Sequence, residues 1–216
     1  FYVAVPTDVT EVEKRAFYDL VKDAGVKAKK IMVVEKAVAD GLGLGIDVKN
    51  SQGVMVVNVG YATTEISILS LGGIVLSKLI KVGGFKFDEA IRNAVRHEYS
   101  LIIGEKSAEK IKISLSEMQS GENSTLVYGR DIVTGLPIEK NIPIQLVDKA
   151  PEESFASIID SVKVILERTP PELGADIYRN GIYLTGGASQ VSRFASLLHK
   201  GTGLKVNHTD KPLESV

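Results

Sequence analysis

The chain has 216 residues, with 26 lysine plus arginine against 27 aspartate plus glutamate, so its formal charge is −1 and no dense run of one sign offers nucleic acid a footprint. Its 44% apolar content is dispersed in short periodic segments, none approaching the roughly 20 apolar residues needed to span a bilayer. The absence of cysteine excludes disulfides, thiolate metal sites and a cysteine nucleophile, and it fits a cytoplasmic protein.

Phe1 to Val5 is an apolar run of β-formers ending at Pro6, which predicts a buried strand, and its abrupt start leads us to expect a strand cut into mid-domain. Thr10 stands three before Glu13 in capping-box spacing, and Val12, Ala16, Phe17, Leu20, Val21 and Ala24 share one helical face before Gly25 stops the helix. Ile31 to Val34 reads as a second strand. Ala37 to Leu44 reads as a small-residue helix, packed closely enough to need Ala39, Gly41 and Gly43.

From Gly53 the pattern changes to three meandering strands, Val54 to Val59, Glu65 to Leu71 and Ile74 to Lys81, with Gly72-Gly73 as the second turn. A helix follows Gly83-Gly84, with Phe87, Ala90, Ile91, Ala94 and Val95 on one side, completing a β-β-β-α unit. Ser107 is positioned to cap a further helix with Ala108, Ile111, Leu115 and Met118 inward. Thr125 to Val133 and Ile138 to Leu146 alternate around the turn Thr134-Gly135-Leu136-Pro137, predicting a hairpin in a small subdomain. Phe155, Ile158, Ile159, Val162, Ile165 and Leu166 form a helical stripe that stops before Pro170-Pro171. Gly181 to Leu184 predicts a strand, and Val191, Phe194, Ala195 and Leu198 a last helical face.

Two glycine-containing turns, Asn58-Val59-Gly60-Tyr61-Ala62-Thr63-Thr64 and Leu184-Thr185-Gly186-Gly187-Ala188-Ser189, have a form that can present backbone N–H groups to phosphate. Taken singly, such turns are more often only turns. Their order gives them weight. The Val54 to Tyr99 unit, the segment Ala108-Glu109-Lys110-Ile111-Lys112 and the later glycine turn recur in this order in the actin, sugar-kinase and heat-shock-chaperone superfamily. Val82-Gly83-Gly84-Phe85-Lys86-Phe87-Asp88-Glu89-Ala90-Ile91 resembles the segment IGGDRFDEAI of the MreB/Mbl family of bacterial actin-like proteins. Leu101 to Glu105 with Ala108 to Lys112 resembles LIGEATAERIK, while Pro170 to Leu173 and Leu184 to Gly187 resemble PPEL and LTGG. The resemblance runs through nearly the whole chain.

It implies an α/β, actin-like fold of RNase-H-like β-β-β-α units. Residues 1–50 would be a remnant of a first domain, and 53–216 a second domain carrying a small inserted subdomain at about 101–146. It also implies a filament-forming protein that binds ATP or ADP with magnesium in an interdomain cleft. Self-association, contacts with cell-shape or envelope machinery, and a cytoplasmic location at the inner face of the cell membrane follow from the same resemblance. Gly60, Tyr61, Ala62, Thr63 and Thr64 would be the second phosphate loop, Glu109 and Lys112 the adenosine and ribose pair, and Gly186, Gly187 and Ala188 the adenosine-side turn. One helical turn apart, Glu109 and Lys112 would face the same way; an exposed surface ion pair is the alternative.

Three substitutions fall on catalytic functions. Asn58 stands where the family has the magnesium-site Asp, Tyr61-Ala62 where it has Gly-Gly, and Lys36 where it has the Glu that orients the attacking water. A charged lysine accepts no proton. A one-residue shift placing Glu35 in that role is the alternative register. The family's first phosphate loop lies ahead of everything in this sequence, which leads us to expect an excised piece without ATPase activity of its own. Two competing readings are a non-hydrolysing scaffold acting only through protein contacts, and a sugar-kinase-type phosphotransferase, which would need a carboxylate by the phosphates.

His97, His199 and His208 lie far apart without ligand spacing and are assigned no metal, and Ser154, Ser157 and Ser161 read as solvated helix positions rather than nucleophiles.

Overall fold

A computed structural model of the chain describes residues 1–25, 27–117, 123–191, 193–209 and 211–216, and of residues 115–117 the backbone alone. Strand β1 (Tyr2–Val5), helix α1 (Glu11–Asp23) and strand β2 (Met32–Glu35) form a parallel crossover unit, with Val5 beside Glu35. The capping box of α1 is made by Thr10 Oγ1 accepting from the Glu13 N–H and the Glu13 carboxylate accepting from the Thr10 N–H. The apolar face read from the sequence is not covered: Val12 is 80% exposed, and no α1 residue is buried.

Helix α2 (Lys36–Gly43) leaves the end of β2 directly. The sequence division placed it with the first unit, yet it lays Ala37 against Val54, Val56 and Leu69 of the next. Its small residues are demanded by contact: a side chain at Gly41 would strike Val48 and Leu69, and one at Gly43 the backbone of Ser215.

The central sheet runs in the order β10-β9-β3-β4-β5, from β3 (Val54–Val59), β4 (Thr64–Ser70), β5 (Gly73–Ile80), β9 (Ile182–Thr185) and β10 (Val206–His208). Every residue of β3 is buried, because both faces are covered: α2 on one side, the main core on the other. The β4–β5 turn sits one residue earlier than predicted, on Leu71 (φ 52°) and Gly72 (φ 77°), and Gly73 already belongs to the strand. Two positive φ values match the twist of a tight hairpin, a conformation that costs Leu71 more than Gly72.

Helix α3 (Gly84–Tyr99) joins two cores, giving Phe87 to the first and Ile91 and Val95 to the second. The second core lies under a three-stranded sheet of β6 (Leu101–Ile102), β7 (Ser124–Asp131) and β8 (Pro137–Pro143). Helix α4 (Glu105–Glu117) begins two residues before Ser107, whose N–H donates to Gly104 O, so Ser107 is no cap; Ala108 and Ile111 are buried as expected. Met118 lies outside the described residues, as does the side chain of Leu115. The strand predicted to reach Leu146 stops at Pro143, after which α5 (Ile144–Lys149) turns the apolar residues inward as a helix.

Helix α6 (Glu152–Glu167) follows the predicted stripe, and its Phe155 packs edge-on to Phe87 and tilted on Phe194. Ser161 is buried on that face rather than solvated. Helices α7 (Pro171–Asn180) and α8 (Phe194–Thr202) flank β9, a 3-10 turn at Gly187–Gln190, and β10. Among the described residues no helix is long and apolar enough to cross a membrane.

Candidate nucleotide site

A cleft of about 600 Å³ opens where the β3–β4 loop, the start of α3, one face of α4, the turn after β9 and the chain end at 212–216 converge. Its wall carries Lys36, Asn58, Gly60 and Tyr61 at one region, Glu109 and Lys112 from α4, and Gly186, Gly187 and Ala188 from the β9 turn. These residues come from segments more than 150 positions apart in sequence. Parallel β3 and β9 are adjacent, pairing Asn58 with Thr185, so the two glycine turns emerge side by side at the same sheet end.

Three of the predicted phosphate-loop residues do not reach the wall. Ala62 and Thr63 are on the return limb of the loop, and Thr64 starts β4, fully buried, with its hydroxyl donating to Val82 O at 2.7 Å. The Gly60 N–H is used within the loop, donating to Thr63 O at 2.9 Å. By contrast, no acceptor among the described residues takes the N–H of Tyr61. The Tyr61 ring, 58% exposed, turns aside to meet Phe85 edge-on at 5.8 Å between centroids.

Lys112 is neither a surface charge nor the partner of Glu109. Its ammonium lies 2.9 Å from Asp88 Oδ1 of α3, with both side chains nearly enclosed. Burial pushes the Asp88 carboxyl above its ordinary range, opposed by the Lys112 contact. Glu109 remains on the wall, one helical turn away, able to accept from hydroxyl groups.

At the other region, five buried or half-buried polar side chains form a chain. Lys36 Nζ donates to Asn58 Oδ1 at 3.1 Å, and Asn58 Nδ2 donates to Asp40 Oδ1 at 2.9 Å and Oδ2 at 2.8 Å. Ser215 Oγ donates to Asp40 Oδ1 at 2.7 Å and lies 2.7 Å from Thr185 Oγ1. Burial raises the Asp40 pKa, held back by the bonds from Ser215 and Asn58 and by the Lys36 charge. Glu35 points elsewhere, its carboxylate 3.4 Å from Lys14, so Lys36 is the member of the pair that faces the cleft.

Sequence reasoning missed Asp40 and Ser215 as members of this site, and named Thr185 only as part of its glycine turn. Asp40 carried a signal, since it stands four residues after Lys36 in a predicted helix and is its lone acid. Glu65 lies opposite Asn58 in the β3–β4 register, buried, accepting from the Thr7 N–H at 3.2 Å. Ser215 had no local signal.

The donor set does not suit a magnesium ion. Asp40 already accepts from Asn58 and Ser215, and the Asn58 oxygen faces an ammonium. Hard divalent cations want carboxylate or carbonyl oxygen free to turn toward them, directly or through water. Among the described residues, no cluster of three or more histidine and acid side chains could hold a metal.

The family model for MreB/Mbl protein matches residues 1–216. The chain belongs to the MreB/Mbl family. It is 37% identical over 216 residues to the cell shape-determining protein MreB of Escherichia coli (strain K12), covering 99% of this chain and 62% of that protein. To the cell shape-determining protein Mbl of Bacillus subtilis (strain 168) it is 36% identical, covering 99% of this chain and 64% of that one. MreB5 of Spiroplasma citri, solved bound to AMPPNP, superposes with a TM-score of 0.93 at 36% identity over 100% of this chain and 65% of its own. The chain thus spans just under two thirds of the length of these MreB/Mbl relatives. The actin-like α/β fold expected from the sequence is the fold of these MreB neighbours.

Proposed function

We propose that this chain forms part of an adenine-nucleotide cleft in an actin-like, filament-forming protein of cell-shape determination, one that holds nucleotide but turns it over slowly or not at all. The observation that carries this reading is the convergence of Tyr61, Glu109, Lys112 and the Gly186–Ala188 turn on one cleft. Support comes from MreB5 of Spiroplasma citri, which has been crystallised with AMPPNP and with ADP. Slow turnover follows from Lys36. Phosphoryl transfer to water is helped by a group that orients the water and accepts from it, and a charged ammonium cannot accept. Self-association into filaments, contacts with cell-shape or envelope proteins and a cytoplasmic position at the inner face of the membrane belong to the same proposal.

Titration of the full-length protein with a fluorescent ATP analogue in magnesium buffer tests it. Binding tighter than about 100 μM, or roughly −5.5 kcal/mol, supports a nucleotide site. No saturable binding sinks it in favour of a scaffold working only through protein contacts.

A further inference from the structure

Lys36, Asn58 and Asp40 fix one another's orientation. Asp40 can only accept while ionised, so the Asn58 amide must turn its NH2 toward it and its oxygen away. That oxygen receives Lys36 Nζ at 3.1 Å. Ser215 and Thr185 close the far side, leaving no carboxylate oxygen of this group turned to the cleft. An ammonium has three N–H bonds, and among the described residues Asn58 is the one hydrogen-bond partner of Lys36. Lys36 itself lines the same cleft as Gly60 and Tyr61, and Asn58, to which it donates, stands two residues before Gly60. The phosphate end of the cleft therefore presents a preoriented positive charge with donors to spare, in the place where a divalent cation would need free oxygen.

We propose that Lys36 replaces the divalent cation, so that this protein binds the phosphate tail of an adenine nucleotide without magnesium. The inference rests on the nucleotide reading given above and deepens it. An ammonium held against phosphate oxygens neutralises the same charge that a metal would, as a point charge with short N–H contacts. It also repels a second cation at the same oxygens, so added magnesium gains little there. The buried Asp40 attracts this charge and is linked to it through Asn58.

Equilibrium titration of the full-length protein with the fluorescent ATP analogue, once with magnesium and once with EDTA, separates the possibilities. The expected result is a Kd in EDTA within about threefold of that in magnesium, a difference under 1 kcal/mol. Lys36→Gln should weaken binding in EDTA by about tenfold or more, with its folding checked by circular dichroism, while Lys36→Arg should retain the magnesium-independent binding. Binding that weakens at least tenfold on removing magnesium overturns this inference while leaving the nucleotide site standing. An unchanged Kd for Lys36→Gln in EDTA also overturns it. No binding in either buffer removes the nucleotide reading and this inference together.

Discussion

Lys112 Nζ lies 2.9 Å from Asp88 Oδ1, tying α4 to α3 across the junction of the two cores, with both side chains almost shut off from water. Removing one partner strands the other charge in a desolvated site, which costs about 3–5 kcal/mol. Asp88→Ala should therefore lower the urea-unfolding free energy by that order. Replacing both, as Asp88→Leu with Lys112→Met, should recover most of the loss. A double variant as unstable as the single one would show that the pair does more than neutralise itself.

Glu65 supplies a pH test. Burial pushes its carboxyl above the ordinary range, opposed by the bonds from Thr7 and the Lys36 charge, and reinforced by Asp40. A carboxyl whose folded pKa is raised favours the folded state while protonated. That contribution is complete below the unfolded value of about 4.3 and is lost as pH climbs through the folded pKa. Glu65→Gln keeps an oxygen for the Thr7 N–H but cannot ionise. Its melting temperature should exceed the parent's near pH 8 and the two should converge near pH 4. The opposite order at alkaline pH would mean that the ionised Glu65 is stabilising.

Gly186 has φ 89°, and a Cβ there would meet Val59 O and come within 2.7 Å of Asn58 Oδ1. Gly72 has φ 77° with nothing within 4 Å. Alanine at Gly72 should cost only the left-handed backbone penalty, about 1–2 kcal/mol. Alanine at Gly186 should cost more, and it should also weaken nucleotide binding by pushing Asn58 and the Lys36 contact out of line. Equal losses at the two positions, measured by denaturant unfolding, would mean that the turn yields without disturbing Asn58.

Asn58→Asp would set a carboxylate against Asp40, whose oxygens now lie 2.9 and 2.8 Å from Asn58 Nδ2. Two facing carboxylates destabilise each other unless a cation or proton intervenes. We expect the variant to melt lower than the parent and to be rescued by magnesium, whereas the parent is indifferent to it. A further step, combining Lys36→Glu, Asn58→Asp and Tyr61→Gly, should raise ATP hydrolysis by about tenfold or more, equivalent to at least 1.4 kcal/mol of barrier. An unchanged rate of phosphate release would clear these three residues as the cause of slow turnover.

Much of the fold was legible because its signals are local. Thr10 and Glu13 announce the start of α1 by spacing, Val54 to Val59 reads as a strand, and the stripe from Phe155 to Leu166 has helical period. The misreadings share one cause. Ile144 to Leu146 is apolar enough for either state, and only its packing under β8 and beside α3 makes it helix. Ser161 looks polar-faced in sequence but is buried, its hydroxyl being small enough to pass into the core.

The sequence by itself determined the family, the order of the elements and the identity of the cleft segments, since these are carried by short runs such as Val82 to Ile91 and Leu184 to Gly187. Tertiary structure alone decided the partners. It set Lys112 on Asp88 rather than beside Glu109, turned Lys36 rather than Glu35 into the cleft, and brought Ser215 onto Asp40 across 175 positions of chain. The physical reason is that spacing fixes which face of a helix or strand a residue occupies, whereas hydrogen bonds and charge pairs are chosen by whatever the packed sheets bring within about 3 Å of that face.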